Sequence, residues 1–71
     1  MKEYLVIYEK GTKGWGAFSP DVPGCIATGK TRAEVKNRFR QAIVFHLQGL
    51  REAGLPLPNP SCKAETLPVA I

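Results

Sequence analysis

The stretch Gly14-Trp15-Gly16-Ala17-Phe18-Ser19-Pro20-Asp21-Val22-Pro23-Gly24-Cys25 decides the architecture of this chain. Trp15 to Ser19 has the period of a strand, with Trp15 and Ala17 on one face and Phe18 on the other. Pro20 to Gly24 then breaks it. Two prolines cannot donate to a sheet ladder, and Gly24 allows a positive φ. Cys25-Ile26-Ala27-Thr28 resumes as a short strand that Gly29 ends.

On the N-terminal side, Gly11-Thr12-Lys13-Gly14 supplies turn chemistry, and Tyr4-Leu5-Val6-Ile7-Tyr8 is a continuous β-branched and aromatic run. Turn residues between two such runs predict a hairpin, and an unbroken apolar run suits a strand buried on both faces. On the C-terminal side, Thr31 followed three residues later by Glu34 forms a capping box. No proline occurs from Arg32 to Ala53, and Val35, Phe39, Ala42, Ile43, His46, Leu50 and Ala53 make one stripe at helical spacing. Gly54 is the expected stop, and Pro56, Pro58 and Pro60 exclude continuation. A helix of about 22 residues, roughly 33 Å long, is predicted. Leu55 to Pro60 reads as an extended connector of polyproline type. Cys62 to Leu67 is expected to form a last strand, with Lys63 and Glu65 on a wet face and Pro68 ending it.

The fold class is therefore α+β, in the order β-β-β-α-β. Three strands joined by short turns make an antiparallel meander, and the helix is a crossover. A right-handed crossover lays the fourth strand parallel to the first, for a sheet order of 3-2-1-4 with the first strand central. One helix covers only one face of such a sheet. The other carries either Leu5 and Ile7 or Tyr4, Val6 and Tyr8, beside residues of the second strand. A contiguous apolar patch is rarely left to water, so a homodimer or higher oligomer is expected. In this order Cys25 and Cys62 lie on opposite edges, three inter-strand spacings or roughly 14 Å apart. A disulfide needs Cα atoms within about 7 Å.

Seventy-one residues make one domain, 44% hydrophobic and 23% charged, as in ordinary globular proteins. There is no apolar run of membrane-spanning length and no signal-peptide pattern, so a cytoplasmic protein without membrane contact is expected. Two cysteines outside any CxxC pair and one histidine argue against a disulfide framework or a zinc site. No catalytic constellation stands out either. Glu34 is explained by the cap, Glu52 by the wet side of the helix, and Glu3 and Glu9 by strand ends. Asp21, between two prolines, reads as a turn residue accepting backbone amides. His46, among Phe39, Ile43 and Leu50, reads as a packed core or interface residue. Gly14-Trp15-Gly16 lacks the strand–loop–helix context and the lysine of a phosphate loop. No enzyme activity and no cofactor are expected.

Binding is better supported. The formal charge is +4, which favours anionic partners. Lys30, Arg32, Lys36 and Arg40 cluster near the start of the helix as candidate anion-binding residues. Cations there oppose the helix dipole. Trp15, the only tryptophan, is a candidate anchor for a core, a dimer interface or a partner.

The stretch from Gly14 to Cys25 resembles the signature of HicB-like antitoxin domains, a hairpin strand followed by a Pro-Asp-hydrophobic-Pro-Gly-Cys turn. The likeness continues through Ala27-Thr28-Gly29-Lys30-Thr31, the Glu34-containing first turn, the helix, and Gly54 to Pro60. It covers nearly the whole chain in the right order. The resemblance implies a partial ribonuclease-H-like fold without its catalytic carboxylates. It also implies homo-oligomers and neutralisation of a small ribonuclease toxin of HicA type by direct binding. A ribbon-helix-helix or helix-turn-helix segment often follows in that family. None is read in these residues, which are expected to form a single HicB-like domain, and operator DNA binding is not implied. Toxins of that type are usually basic, so a chain of +4 meets them with unfavourable long-range electrostatics; either this is a solitary relative whose partner differs, or apolar residues drive the contact.

The first expectation is thus a non-catalytic antitoxin-like module that binds its partner through Trp15, Phe18, Pro20, Asp21, Val22 and Pro23. The alternative is an orphan basic, oligomeric module in which Lys30, Arg32, Lys36 and Arg40 meet nucleic-acid phosphates. A degenerate nuclease, with metal-dependent cleavage from a single aspartate, is the remote third.

Overall fold

In a computed structural model describing residues 1–71, α1 spans Arg32–Glu52. Thr31, in an extended conformation, caps it, and its Oγ1 accepts the Glu34 amide at 3.1 Å. Only this half of the capping box forms. The Glu34 carboxylate turns instead to Arg38, at 2.7 Å across one helical turn. At the other end Gly54 takes a positive φ of 73°. Its amide donates to the carbonyl of Arg51 at 3.1 Å, and that of Leu55 to the carbonyl of Leu50 at 2.9 Å. This is the Schellman closure expected of glycine beyond a helix terminus.

The three strands are β1 (Ile7–Lys10), β2 (Trp15–Ser19) and β3 (Val22–Gly29), joined as an antiparallel sheet in the order β1-β2-β3. Gly14 is required at the first turn. Its φ is +154°, and a Cβ there would lie 2.4 Å from the carbonyl oxygen of Gly29.

β1 begins later than the apolar run predicts. Ile7 pairs with Phe18, which places Leu5 opposite Pro20, where there is no N–H to donate and the chain is already turning. β3 begins earlier than predicted, at Val22 rather than Cys25. Ser19 pairs with Val22 while Phe18 pairs with Ile26, so the ladder carries an irregularity that absorbs Pro23, Gly24 and Cys25. Gly24, with φ +85°, makes that bend without strain.

α1 lies across β2 and β3. Ala17, Val22, Cys25, Val35 and Phe39 form the buried core, and Tyr4, Val6, Tyr8, Trp15 and Leu47 are among the partly buried side chains packed on it. The choice of sheet face is thereby settled: Tyr4, Val6 and Tyr8 go to the helix side.

The predicted fourth strand is not formed. Residues 53–71 contain no strand, and β1, expected to be central, lies at an edge. Pro58 and Pro60 have no amide to give. The amides of Ser61 and Cys62 donate to Asp21 instead of to β1. Beyond that point Leu67, Val69 and Ile71 stand exposed at every second position of a segment without regular secondary structure. No helix is long and apolar enough to cross a membrane.

Candidate functional site

The turn between β2 and β3 is tied to the far end of the chain. One carboxylate oxygen of Asp21 accepts the amides of Ser61 at 3.1 Å and Cys62 at 3.0 Å, while the other accepts the Ser61 hydroxyl at 3.1 Å. The Tyr4 hydroxyl donates to the carbonyl of Pro58 at 2.7 Å, so the connector is held at two points. The Cys62 amide, followed by the Cys62 thiol, holds the Asp21 carboxyl below its ordinary value of 3.8. The same carboxylate raises the Cys62 thiol, while burial raises that of Cys25. Both cysteines are free, Cys25 buried and Cys62 exposed. Asp21 does accept backbone amides, but from the C-terminal connector rather than from its own turn.

The side chains singled out around this turn therefore separate. Val22 is completely buried and Trp15 packs on the core, so both support the surface from below. Asp21 is engaged by the connector. Pro20 and Pro23 are exposed, and Phe18 lies half-buried on the face away from the helix.

On that open face the ladder lines up Ile7, Phe18 and Ile26 as successive cross-strand neighbours. The row ends at the free edge of β3, where Ile26 is 70% exposed. Phe45 of α1, 80% exposed, flanks the same edge, and a shallow cleft joins both residues to half-buried His46 and Leu50. Ile26 and Phe45 were missed by sequence reasoning. Phe45 lies off the helical stripe, which was a signal in itself. For Ile26 the signal was its likeness in phase to Phe18, recognisable only once the register is known.

The cations divide as well. Arg32 stacks over the Tyr8 ring at 4.7 Å, and Lys36 and Arg40 line a groove with Lys2, Tyr4 and Tyr8 between α1 and the N-terminal segment. Lys30 faces the opposite flank, beside Lys13 and Arg38 at the hairpin turn. Arg38 is committed to Glu34 and to the carbonyl of Thr28 at 2.9 Å. No three His, Cys, Asp or Glu side chains come together as metal ligands.

An α+β domain with one face sealed by a helix, the other left apolar, and an exposed hydrophobic edge is thus the class of protein defined by these features. The chain belongs to the family described as "HicB_like antitoxin of bacterial toxin-antitoxin system", which matches residues 4–68. It is 33% identical over 66 residues to Antitoxin HicB 2 of Photorhabdus laumondii, an alignment covering 87% of this chain and 45% of that protein. It is 39% identical over 56 residues to an uncharacterized 14.9 kDa protein of Haemophilus phage HP1, covering 79% of this chain and 42% of the relative. The chain thus spans less than half the length of these curated relatives. Its fold matches a chain of a solved HicA3 and HicB3 toxin-antitoxin complex with a TM-score of 0.70 and 30% identity, over 84% of this chain and 70% of that one.

Proposed function

We propose that this domain is a non-catalytic antitoxin module that neutralises a small HicA-type ribonuclease toxin by direct binding. The observation that carries the reading is the likeness in fold and sequence to a chain of a HicA3 and HicB3 complex. The contact surface is the open face and the turn beside it: Phe18, Pro20 and Pro23 touch the partner, while Trp15, Asp21 and Val22 hold that surface in shape. Ile7, Ile26 and Phe45 extend it to the β3 edge. Burial of this apolar row, not charge attraction, drives association, since a +4 chain gains nothing at long range from a basic toxin.

Self-association into a homodimer or higher oligomer, in the cytoplasm, belongs to the same proposal. So does the finer architecture: on assembly, residues 62–67 leave solvent and pair along the free edge of β1, completing the 3-2-1-4 order of a partial ribonuclease-H-like sheet. The reading includes neither a cofactor nor operator DNA binding by these residues.

The test is to titrate a purified HicA-type toxin with this chain while following toxin-catalysed RNA cleavage and complex formation by size-exclusion chromatography. Cleavage is expected to stop near stoichiometric addition, and the chain alone to cleave nothing. A toxin that stays active with the chain in excess overturns the reading. A Phe18→Glu/Ile26→Glu variant is expected to remain helical by circular dichroism and to lose the complex.

A further inference from the structure

We propose that the groove between α1 and the N-terminal segment binds single-stranded nucleic acid through its phosphate backbone, independently of any toxin contact. Arg32, Lys36 and Arg40 recur at every fourth position of α1 and so form one stripe along the helix. Across the groove from this stripe runs the segment bearing Lys2, Tyr4 and Tyr8. Lys2 lines the groove with Tyr4 and Tyr8, whereas Glu9 lies out of phase with Tyr8 on β1 and is directed to the opposite face.

The stripe carries a cost that the folded chain offsets only at Arg32, through its contact with the Tyr8 ring. Like charges four apart on a helix repel, and Arg32, in the first turn, sits where the helix dipole is positive. Arg32, Lys36 and Arg40 make no ion pair; the one ion pair in the structure joins Arg38 to Glu34 on the other flank. A row of phosphates relieves both costs together. The tyrosines identify the polyanion further. Tyr4 and Tyr8 are half-buried in the groove wall, and the Arg32 guanidinium sits 4.7 Å from the centre of the Tyr8 ring, so aromatic side chains and cations stand side by side. Unpaired bases stack on such surfaces while their phosphates meet the flanking charges. The paired bases of a duplex are not free to do so. The groove and the apolar row lie on different faces, separated by the sheet, so occupation of one leaves the other open.

The measurement is fluorescence anisotropy of a labelled 15-nucleotide oligouridylate RNA, an oligothymidylate DNA and a 15-base-pair duplex, titrated with the full chain from 50 to 300 mM KCl. The single strands are expected to bind with a log–log salt slope of about −2 to −3, corresponding to about three or four neutralised phosphates at roughly 0.7 each. The Lys36→Ala/Arg40→Ala variant is expected to bind at least tenfold more weakly, with a slope shallower by about 1.4. The Lys13→Ala/Lys30→Ala variant, with the same loss of charge on the other flank, is expected to stay within threefold of the parent. Tighter binding of RNA than DNA assigns a 2′-hydroxyl contact; equal binding assigns backbone and stacking alone, and either supports the groove. The proposal is overturned by no binding at 50 mM KCl, by equal losses in the two variants, by preference for the duplex, or by equal displacement with polyglutamate, which marks an acidic protein face as the better ligand. No toxin enters this experiment, so its failure and the failure of the antitoxin reading are separate results.

Discussion

The carboxylate of Asp21 accepts the backbone amide of Cys62 at 3.0 Å, across 41 positions of the chain. A residue in the middle of a tight turn thereby fixes where the C-terminal connector meets the sheet. It does so next to the open face proposed to receive the partner.

Removing this acceptor frees the connector. In Asp21→Ala the amides of Ser61 and Cys62 are expected to exchange at rates near those of an unstructured peptide, with α1 protection unchanged. The Cys62 thiol, now without the carboxylate that raises it, is expected to be alkylated faster at pH 7.5 as its thiolate fraction grows. Unchanged exchange and alkylation in the variant refute the latch.

The same contact sets a pH limit. The folded value for Asp21 lies below its ordinary 3.8, first because of the Cys62 amide. The latch is therefore fully present above the unfolded value and is lost as pH falls through the folded one. In an NMR titration the Ser61 and Cys62 amides are expected to shift with an apparent pKa under 3.8, and not to move near neutrality. A midpoint at or above 3.8 contradicts the geometry.

Phe39 carries the core. It is 2% exposed and packs with Val35, Ala17, Val22 and Cys25. Phe39→Ala is expected to cost about 3–5 kcal/mol. Since total stability for a chain of this size is about 4–10 kcal/mol, urea unfolding should show a variant at the margin of folding. A loss under about 1 kcal/mol places Phe39 outside the core.

Ser19 points the other way. Its hydroxyl is buried and has no hydrogen-bond partner. Leaving such a group unsatisfied costs about 1–3 kcal/mol, so Ser19→Ala is expected to raise stability by about 1 kcal/mol after the lost packing is counted. The urea midpoint should rise at constant slope. A fall shows that the hydroxyl finds a partner in solution.

How much of this was legible depended on how local the cause was. The helix was readable almost to the residue, because its cap, its apolar stripe, Gly54 and the prolines all act within a few positions of one another. That β1 and β2 form a hairpin was legible from Gly11 to Gly14 and the strand-like runs either side. The limits of β1 and β3 were not, since they follow from the opposition of Leu5 to Pro20 and from the irregularity around Gly24, which exist only once two strands have been brought together.

The candidate site shows the same division. Pro20 and Pro23 read as turn residues and are exposed ones, yet Val22 between them is sealed in the core and Asp21 is taken by a segment about forty residues away. Arg32, Lys36 and Arg40 share a flank by helical periodicity alone, whereas Lys30, adjacent in sequence, is turned to the other side where the chain enters the helix.

From the sequence alone came the α+β class, the order of the first three strands and the helix, the helix boundaries and the likeness to HicB-like antitoxins, because propensity, capping and turn chemistry are short-range. Only the tertiary structure decided which sheet face is covered, that Ile7, Phe18 and Ile26 form one apolar row, and that residues 62–67 remain unpaired. Those outcomes depend on register and on competition for hydrogen-bond donors between distant segments, and no local pattern encodes which acceptor wins.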